Sequence, residues 1–153
     1  MAIFTYSFLD TLATLQDAVT GQFFPLGAQA AVGIAEEGIT VEQVADIDDM
    51  FIGIDGIPVH SLVANKGAHV TVRLLKTSPI NFLLQNLLQL NRNSAATWGQ
   101  MTISIANGPL GDNITNQFCA FAKVPQITYA KDAGMNEWRF NVGICDVLLG
   151  NGG

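Results

Sequence analysis

The sequence predicts a mainly β protein with one central α-helix, built as a subunit of the sandwich or barrel type. Segments rich in β-branched and aromatic residues recur along most of the 153 residues, and Gly, Pro and Asn turn signals separate them. Between them, residues 79–92 carry apolar residues with the period of a helix. Seven to nine strands and one helix fit one domain, because the chain is too short for two. We predict this domain over residues 1–149, followed by a flexible tail at residues 150–153.

The first predicted strand is unusually long. Residues 3–19 are rich in Phe, Tyr, Thr, Leu and Val and contain no Gly or Pro, which predicts one long strand or two strands joined by a bulge. Residues 38–44 and 69–74 then alternate apolar and polar residues, which is typical of strands with one buried face.

A hairpin is predicted between these two alternating strands. Residues 50–54 and 57–62 flank Asp55-Gly56, a dipeptide that suits a two-residue turn. Pro58 has no backbone N–H to donate, which favours a position at the edge of a sheet. Residues 65–67 supply the next turn.

The helix prediction depends on its start signals and its apolar face. Ser78 is a good N-cap and Pro79 suits the first helical position, and the helix should end near residues 92–93. One face is apolar: Ile80, Leu83, Leu84, Leu87 and Leu88. The opposite face carries uncharged amides: Asn81, Gln85, Asn86 and Gln89. This face is either solvated or in contact with another subunit, where charge would be costly to bury.

The C-terminal part of the chain is predicted to form three strands. Residues 101–105 predict a short strand and residues 107–112 a tight loop. Two longer strands, residues 114–129 and 137–149, enclose a loop at 131–136 and are expected to form a hairpin. Pro125 marks an edge or a bulge in that hairpin.

The composition indicates a protein that assembles with copies of itself. Charged residues make up 13% of the chain and hydrophobic residues 49%, whereas about 25% charge is typical of soluble domains. The richest apolar stretch, residues 80–90, is interrupted by four amides, so we expect no membrane insertion. The N-terminus does not resemble a secretory signal, which favours a cytoplasmic place of synthesis. The surplus apolar surface is best explained as subunit interface.

The charges are distributed unevenly along the chain. The first 65 residues hold nine acids and no base, so their charge is 0 − 9 = −9. Residues 66–153 hold seven bases and four acids, so their charge is 7 − 4 = +3, which completes the net charge of −6. Such a chain offers an acidic and a basic surface for head-to-tail contact between copies.

The sequence offers little catalytic or metal-binding chemistry. The two histidines, His60 and His69, lie beside no nucleophile motif, and two imidazoles alone are a weak metal ligand set. The acidic segment at residues 46–55 lacks the oxygen donors and the final Glu of a calcium loop. We expect Cys119 and Cys145 to be buried free thiols. We therefore predict no enzyme, no cofactor and no metal site.

Several segments resemble the tail tube proteins of bacteriophages with contractile tails. They are residues 6–10, 35–40, 70–79, 98–100 and 134–138, of which residues 73–79 and 135–138 are the most specific. The resemblance runs nearly end to end. It implies a hexameric ring in which strands of each subunit join an inner β-barrel, with rings stacked into a hollow tube for genome passage. The type VI secretion tube is similar in fold.

The resemblance also implies partners and a location. The partners are the chain itself, a tail sheath protein, a tape-measure protein, and baseplate and tail terminator proteins, with only transient, non-specific passage of DNA. The location is the virion tail, after synthesis in the host bacterial cytoplasm.

Two sets of residues are predicted to carry the assembly. The first is a ring-stacking loop, where acids of one copy would face a base of another: Asp46, Asp48, Asp49, Asp55 and Lys66. The second is a subunit interface: Phe4, Tyr6, Phe8, Asn81, Gln85 and Gln89. The alternatives are a type VI-like secretion tube, a monomeric β-barrel that binds a small molecule and, third, an enzyme that uses His60 or His69.

Overall fold

Strands dominate the part of the chain that the structure describes. A computed structural model describes residues 6, 11–18, 21, 23–26, 34–132 and 134–150, without the side chains of residues 24 and 34–37. The described elements are, in chain order, β1 (Thr11–Asp17), β2 (Phe23–Pro25), β3 (Ile34–Gln43), β4 (Asp48–Ile52), β5 (Pro58–Leu62), β6 (Ala68–Leu75), α1 (Ile80–Arg92), β7 (Met101–Asn107), β8 (Asp112–Lys123) and β9 (Met135–Leu148).

Seven of the described strands form one antiparallel sheet that curls into a half-barrel. Their order is β2-β1-β7-β8-β9-β6-β3, which leaves β2 and β3 at the two edges. Among the described strands, β4 and β5 pair only with each other, as a separate two-stranded sheet. The predicted fold class, mainly β with one helix, is confirmed. Within the described residues no helix has the length and hydropathy that a bilayer span requires.

The core lies on one face of the large sheet. Strands β6 and β7 bury every second residue, and the same alternation runs through β1. These side chains and the buried side of α1 belong to one hydrophobic cluster, which includes Leu15, Val72, Leu87, Ile103 and Phe140. The core therefore lies between helix α1 and one face of the sheet. The other face of the sheet points away from the core, toward solvent.

Helix α1 largely follows its predicted limits. The predicted start was wrong by one residue: Pro79, and not Ser78, is the N-cap, Ile80 is the first helical residue, and among the described residues no side chain caps the helix. Ser78 still contacts the first turn, because its Oγ accepts a 3.3 Å hydrogen bond from the backbone N–H of Ile80. The helix ends at Arg92 with Asn93 as the C-cap. Its buried residues are Ile80, Leu84, Leu87, Leu88 and Asn91. The predicted apolar face was wrong at one position, since Leu83 is 36% exposed, while Asn91 is buried at the C-terminal end of that face.

Two strand predictions need correction or lie partly outside the described residues. The predicted strand 3–19 is observed as β1 from Thr11, Tyr6 is described outside any strand, and most of residues 3–10 lie outside the described part. Strand β8 ends at Lys123 and not at residue 129, because Pro125 cannot donate to a ladder. The segment after it is held by Lys76, whose Nζ donates to the Thr128 carbonyl and lies 3.9 Å from the centroid of the Tyr129 ring.

A bulge in β8 lets two residues three positions apart face the core. Asn116 lies opposite Ile103 and Cys119 opposite Met101, so β8 carries one extra residue between them relative to β7. Phe118 takes up that extra length with a φ of 55°. Asn116 and Cys119 are both fully buried, whereas Phe118 is exposed.

Candidate assembly surfaces

The β4–β5 hairpin is exposed along its whole length. Every residue of both strands is exposed, although many are large and apolar. The exposed apolar side chains are Met50, Phe51, Ile52, Val59 and Leu62, with Ile54 and Ile57 in the connecting loop. Opposite residues share a face, so Met50 and Ile52 occupy one face and Phe51 and Val59 the other. An apolar two-stranded hairpin with water on both faces is marginally stable by itself.

The tip of this hairpin is a longer loop than the predicted two-residue turn. Ile52 pairs with Pro58, so residues 53–57 connect the strands. The N–H of Gly56 donates to the Gly53 carbonyl at 2.9 Å, and Gly56 has a φ of 82°, which glycine adopts without strain. The Oδ1 of Asp55 accepts a 3.2 Å hydrogen bond from the N–H of Ile57. Ile54 and Ile57 belong to this loop, and both side chains are exposed.

The acids predicted to stack rings all lie on this hairpin or next to it. Asp46 precedes β4, Asp48 and Asp49 are exposed on β4, and Asp55 is at the tip. The Oδ2 of Asp48 is 2.7 Å from the Nδ1 of His60 on β5. Asp48 therefore already has a partner within the subunit.

Lys66 lies on the turn between β5 and β6, near the base of the hairpin. Its Nζ is 3.9 Å from the Oδ1 of Asp146 on β9, and both side chains are well exposed. Such an exposed pair contributes little to stability and leaves Lys66 available to a further acid.

An open apolar groove of about 620 Å³ lies at the hairpin base. Its walls come from the start of the hairpin, from the segment after β5 and from the end of β9, and include Ala45, Ile47, Leu62, Val63, Cys145 and Val147. Lys66 and Asp146 also line it. Sequence reasoning missed this groove because its walls are far apart in the chain.

The outward side of helix α1 combines amides and exposed apolar residues. Phe82 is 68% exposed, Leu90 is exposed as well, and Asn86 and Gln89 lie between them along the helix. Gln85 is half-buried. Asn81 differs from the other amides, because its Oδ1 accepts a 2.8 Å hydrogen bond from the Nε1 of Trp138. The polar groups of Asn81 are thus used inside the subunit.

The solvent-facing side of strands β1, β7 and β8 is uncharged at its described central positions. Thr14, Ser104 and Thr115 lie opposite one another in a row across the three strands. Leu12, Ala106 and Asn113 form the next row. Charged side chains of this sheet face appear on the neighbouring strands, for example Arg73 and Glu137, whose Nε and Oε2 are 3.7 Å apart.

The remaining predicted interface residues belong to the N-terminal segment. Tyr6 is 66% exposed, and Phe4 and Phe8 lie outside the described residues. The edge strand β3 pairs with β6 on one side, and in the described part of the chain its other side has no partner strand. An open edge of this kind invites pairing with another chain.

The residues considered for chemistry are dispersed in the structure. His60 contacts Asp48, whereas His69 lies on β6 opposite Asn141 of β9, so the two imidazoles do not face each other across the turn at residues 65–67. In the described ranges no three His, Cys, Asp or Glu side chains are grouped to hold a metal ion. Cys119 and Cys145 are buried and free, as predicted. Burial raises the pKa of the Cys119 thiol to about 12 and also raises the pKa of Cys145.

Solved structures with the same fold include chains from contractile injection systems. A chain of the PVC sheath-tube complex of an extracellular contractile injection system has a TM-score of 0.56 and 9% identity, over 91% of this chain and 88% of that one. A chain of the PVC sheath/tube terminator has a TM-score of 0.56 and 12% identity, over 97% and 99%. A chain of the anti-feeding prophage tube-terminating cap has a TM-score of 0.57 and 9% identity, over 97% and 94%. At these identities the likeness is one of fold.

The sequence, and not the fold alone, shows the family to which the chain belongs. No curated protein matches the chain significantly. The family described as bacteriophage PhiTE tail tube protein matches residues 3–150, which is nearly the entire chain. The chain therefore belongs to the bacteriophage PhiTE tail tube protein family.

Proposed function

We propose that this chain is the inner tube subunit of a contractile phage tail, forming hexameric rings that stack into a hollow tube for genome passage. The observation that carries the proposal is the β4–β5 hairpin, whose apolar residues are exposed on both faces. Exposed patches of this kind mark interaction sites. Burial between copies would remove the hairpin's apolar surface from water and stabilise its conformation.

The open sheet supports closure into a ring. Within the described residues the half-barrel has edges at β2 and β3, and joining sheets from neighbouring subunits into one barrel would pair the backbone donors and acceptors of such edges. In this arrangement the N-terminal residues Phe4, Tyr6 and Phe8 would lie at the subunit interface.

The uncharged part of the sheet face, on β1, β7 and β8, suits the wall of a channel. DNA gains affinity for a surface with each phosphate that a basic side chain neutralises. A lining of hydroxyls and small side chains such as Thr14, Ser104 and Thr115 would offer no such sites. Helix α1 lies on the other side of the core, so Gln85 and Gln89 would then face outward, toward a neighbouring subunit or a sheath.

The assembly would need further proteins. A sheath around the tube and a terminator at its end agree with the structural neighbours, which come from a sheath-tube complex and from tube-terminating components. A tape-measure protein inside the tube and baseplate proteins at its far end complete the proposed tail. The subunit would be made in the host bacterial cytoplasm and reside in the virion.

A second candidate is the tube of an injection particle that carries no genome. It is favoured by the three structural neighbours described above, which come from an extracellular contractile injection system and an anti-feeding prophage. The genes around this one separate the candidates, since a phage tail requires capsid and terminase genes and an injection particle does not.

Negative-stain electron microscopy of the purified protein tests the assembly. We expect six-fold rings or hollow tubes, alone or after addition of sheath protein. A matched variant, Asp132→Asn, changes an exposed loop residue outside the hairpin and the helix, and should still form rings. A wild-type protein that stays a 16.3 kDa monomer at high concentration would contradict the proposal.

A further inference from the structure

We propose that the hairpin tip of one copy inserts into the apolar groove at the hairpin base of a second copy. This inference rests on the proposed function and specifies the contact that would join successive copies. Here the tip is the loop at residues 53–57 together with Ile52, the last residue of β4, and the groove is the one lined by Ile47, Leu62 and Val147.

The two surfaces match in chemistry and in size. The tip carries three isoleucines, of which Ile54 is completely exposed and Ile52 and Ile57 are more than half exposed. The groove is mostly apolar, and its volume of about 620 Å³ is several times that of a cavity able to hold a benzene molecule, about 150 Å³. Several branched side chains can therefore enter it together.

A hairpin tip cannot reach the groove of its own copy. Ile47 and Leu62 are at the base of the same hairpin, and the pair Asp48–Leu62 is four residues from the pair Ile52–Pro58. At a strand rise of about 3.3 Å per residue, base and tip are roughly 13 Å apart. The tip and the groove can therefore meet only between different copies.

Electrostatic attraction also favours insertion of the tip into the groove. Asp55 is the acid of the tip, and Lys66 lines the groove, where among the described residues it forms an exposed 3.9 Å pair with Asp146. Insertion of the tip would bring the Asp55 carboxylate toward the Lys66 ammonium group. Because tip and groove are different surfaces of one chain, the contact is heterologous and can propagate from copy to copy.

Disulfide cross-linking between copies that each carry one introduced cysteine tests the contact. One variant carries Ile54→Cys and the other Leu62→Cys, both in a Cys145→Ala background that removes the thiol of the groove. The remaining Cys119 is fully buried and should not compete. Mixed, assembled and mildly oxidised, the two variants should give a 54–62 disulfide dimer. If the background fails to fold, Cys145 is retained and mass spectrometry assigns the linked peptides.

The controls separate this contact from other arrangements. A mixture of Ile54→Cys with Asn86→Cys, an exposed helix position, should give no cross-link. Dominant 54–54 or 54–86 products would overturn the contact. Tubes without any 54–62 product would overturn it too and leave the proposed function standing, whereas a protein that forms neither rings nor tubes would overturn both. Loss of the cross-link only when a small apolar molecule is added would support the groove as the site.

Discussion

Trp138 of strand β9 donates a 2.8 Å hydrogen bond from its Nε1 to the Oδ1 of Asn81 in helix α1. The Nδ2 of Asn81 in turn donates to the carbonyl of Leu75, at the end of β6, at 2.9 Å. One amide therefore connects the helix to two neighbouring strands of the sheet. This explains an uncharged residue at a position that the sequence suggested for a subunit interface.

Replacing Asn81 should destabilise the subunit. Asn81→Leu leaves the indole N–H of Trp138 without an acceptor in a largely buried place, which typically costs about 1–3 kcal/mol. Urea unfolding at low protein concentration measures the loss. The matched variant Asn86→Leu, at an exposed position of the same helix, should change stability by less than about 0.5 kcal/mol. Equal effects of the two variants would mean that the hydrogen bond contributes nothing.

The buried side of α1 should be sensitive to truncation. Leu84 and Leu87 are fully buried in the core, so Leu84→Ala or Leu87→Ala should each lower the free energy of unfolding by about 2–5 kcal/mol. Leu90→Ala, on the exposed side, is the control and should have a much smaller effect. Chemical denaturation compares the three variants, and a negligible cost at Leu87 would contradict the packing described for the helix.

Charge reversal on the hairpin should affect assembly more than folding. Asp46, Asp48 and Asp49 are exposed, and a surface substitution usually changes stability by less than about 0.5 kcal/mol. Replacing all three aspartates with Lys should therefore reduce the stacking of rings, measured by turbidity or sedimentation. The melting temperature of the subunit should change little. Asp132→Lys, an exposed acid far along the chain, is the control. A parallel loss of melting temperature and stacking would refute a role specific to assembly.

The buried thiol of Cys119 should make stability fall at alkaline pH. A thiol ordinarily ionises near 9.0, whereas burial raises the pKa of Cys119 to about 12 in the folded protein. Between these values the unfolded state releases its proton and the folded state does not, so the free energy of unfolding decreases as pH rises. Denaturation from pH 8 to 11 should show a shallower decrease in Cys119→Ala than in the wild type. Identical slopes would show that this thiol does not contribute.

Much of the fold could be predicted because it depends on local pattern. The alternation at residues 69–74 and the helical period at residues 80–88 appear directly as β6 and α1. Predictions failed where the backbone departs from regular geometry. The bulge at Phe118 changes which residues face the core, and neither its position nor the early end of β8 follows from periodicity.

The candidate surfaces could be predicted only in part. The acids at residues 46–55 were visible in the sequence, and the unbroken apolar run Met50, Phe51 and Ile52 is the signal that could have predicted a hairpin exposed on both faces. The groove could not be predicted, because Val63 and Val147 line it together only as a result of the tertiary fold. Asn81 looked like any other helix amide until its contact with Trp138 was seen.

Sedimentation velocity of the wild type and of a Phe51→Asp/Ile54→Asp double variant tests most directly whether the hairpin drives assembly. Both positions are exposed, so the subunit should remain folded when charge is introduced there. We expect the wild type to sediment as rings or larger polymers and the variant as a folded 16.3 kDa subunit. Rings or polymers formed equally well by both proteins, or by neither, would contradict the account.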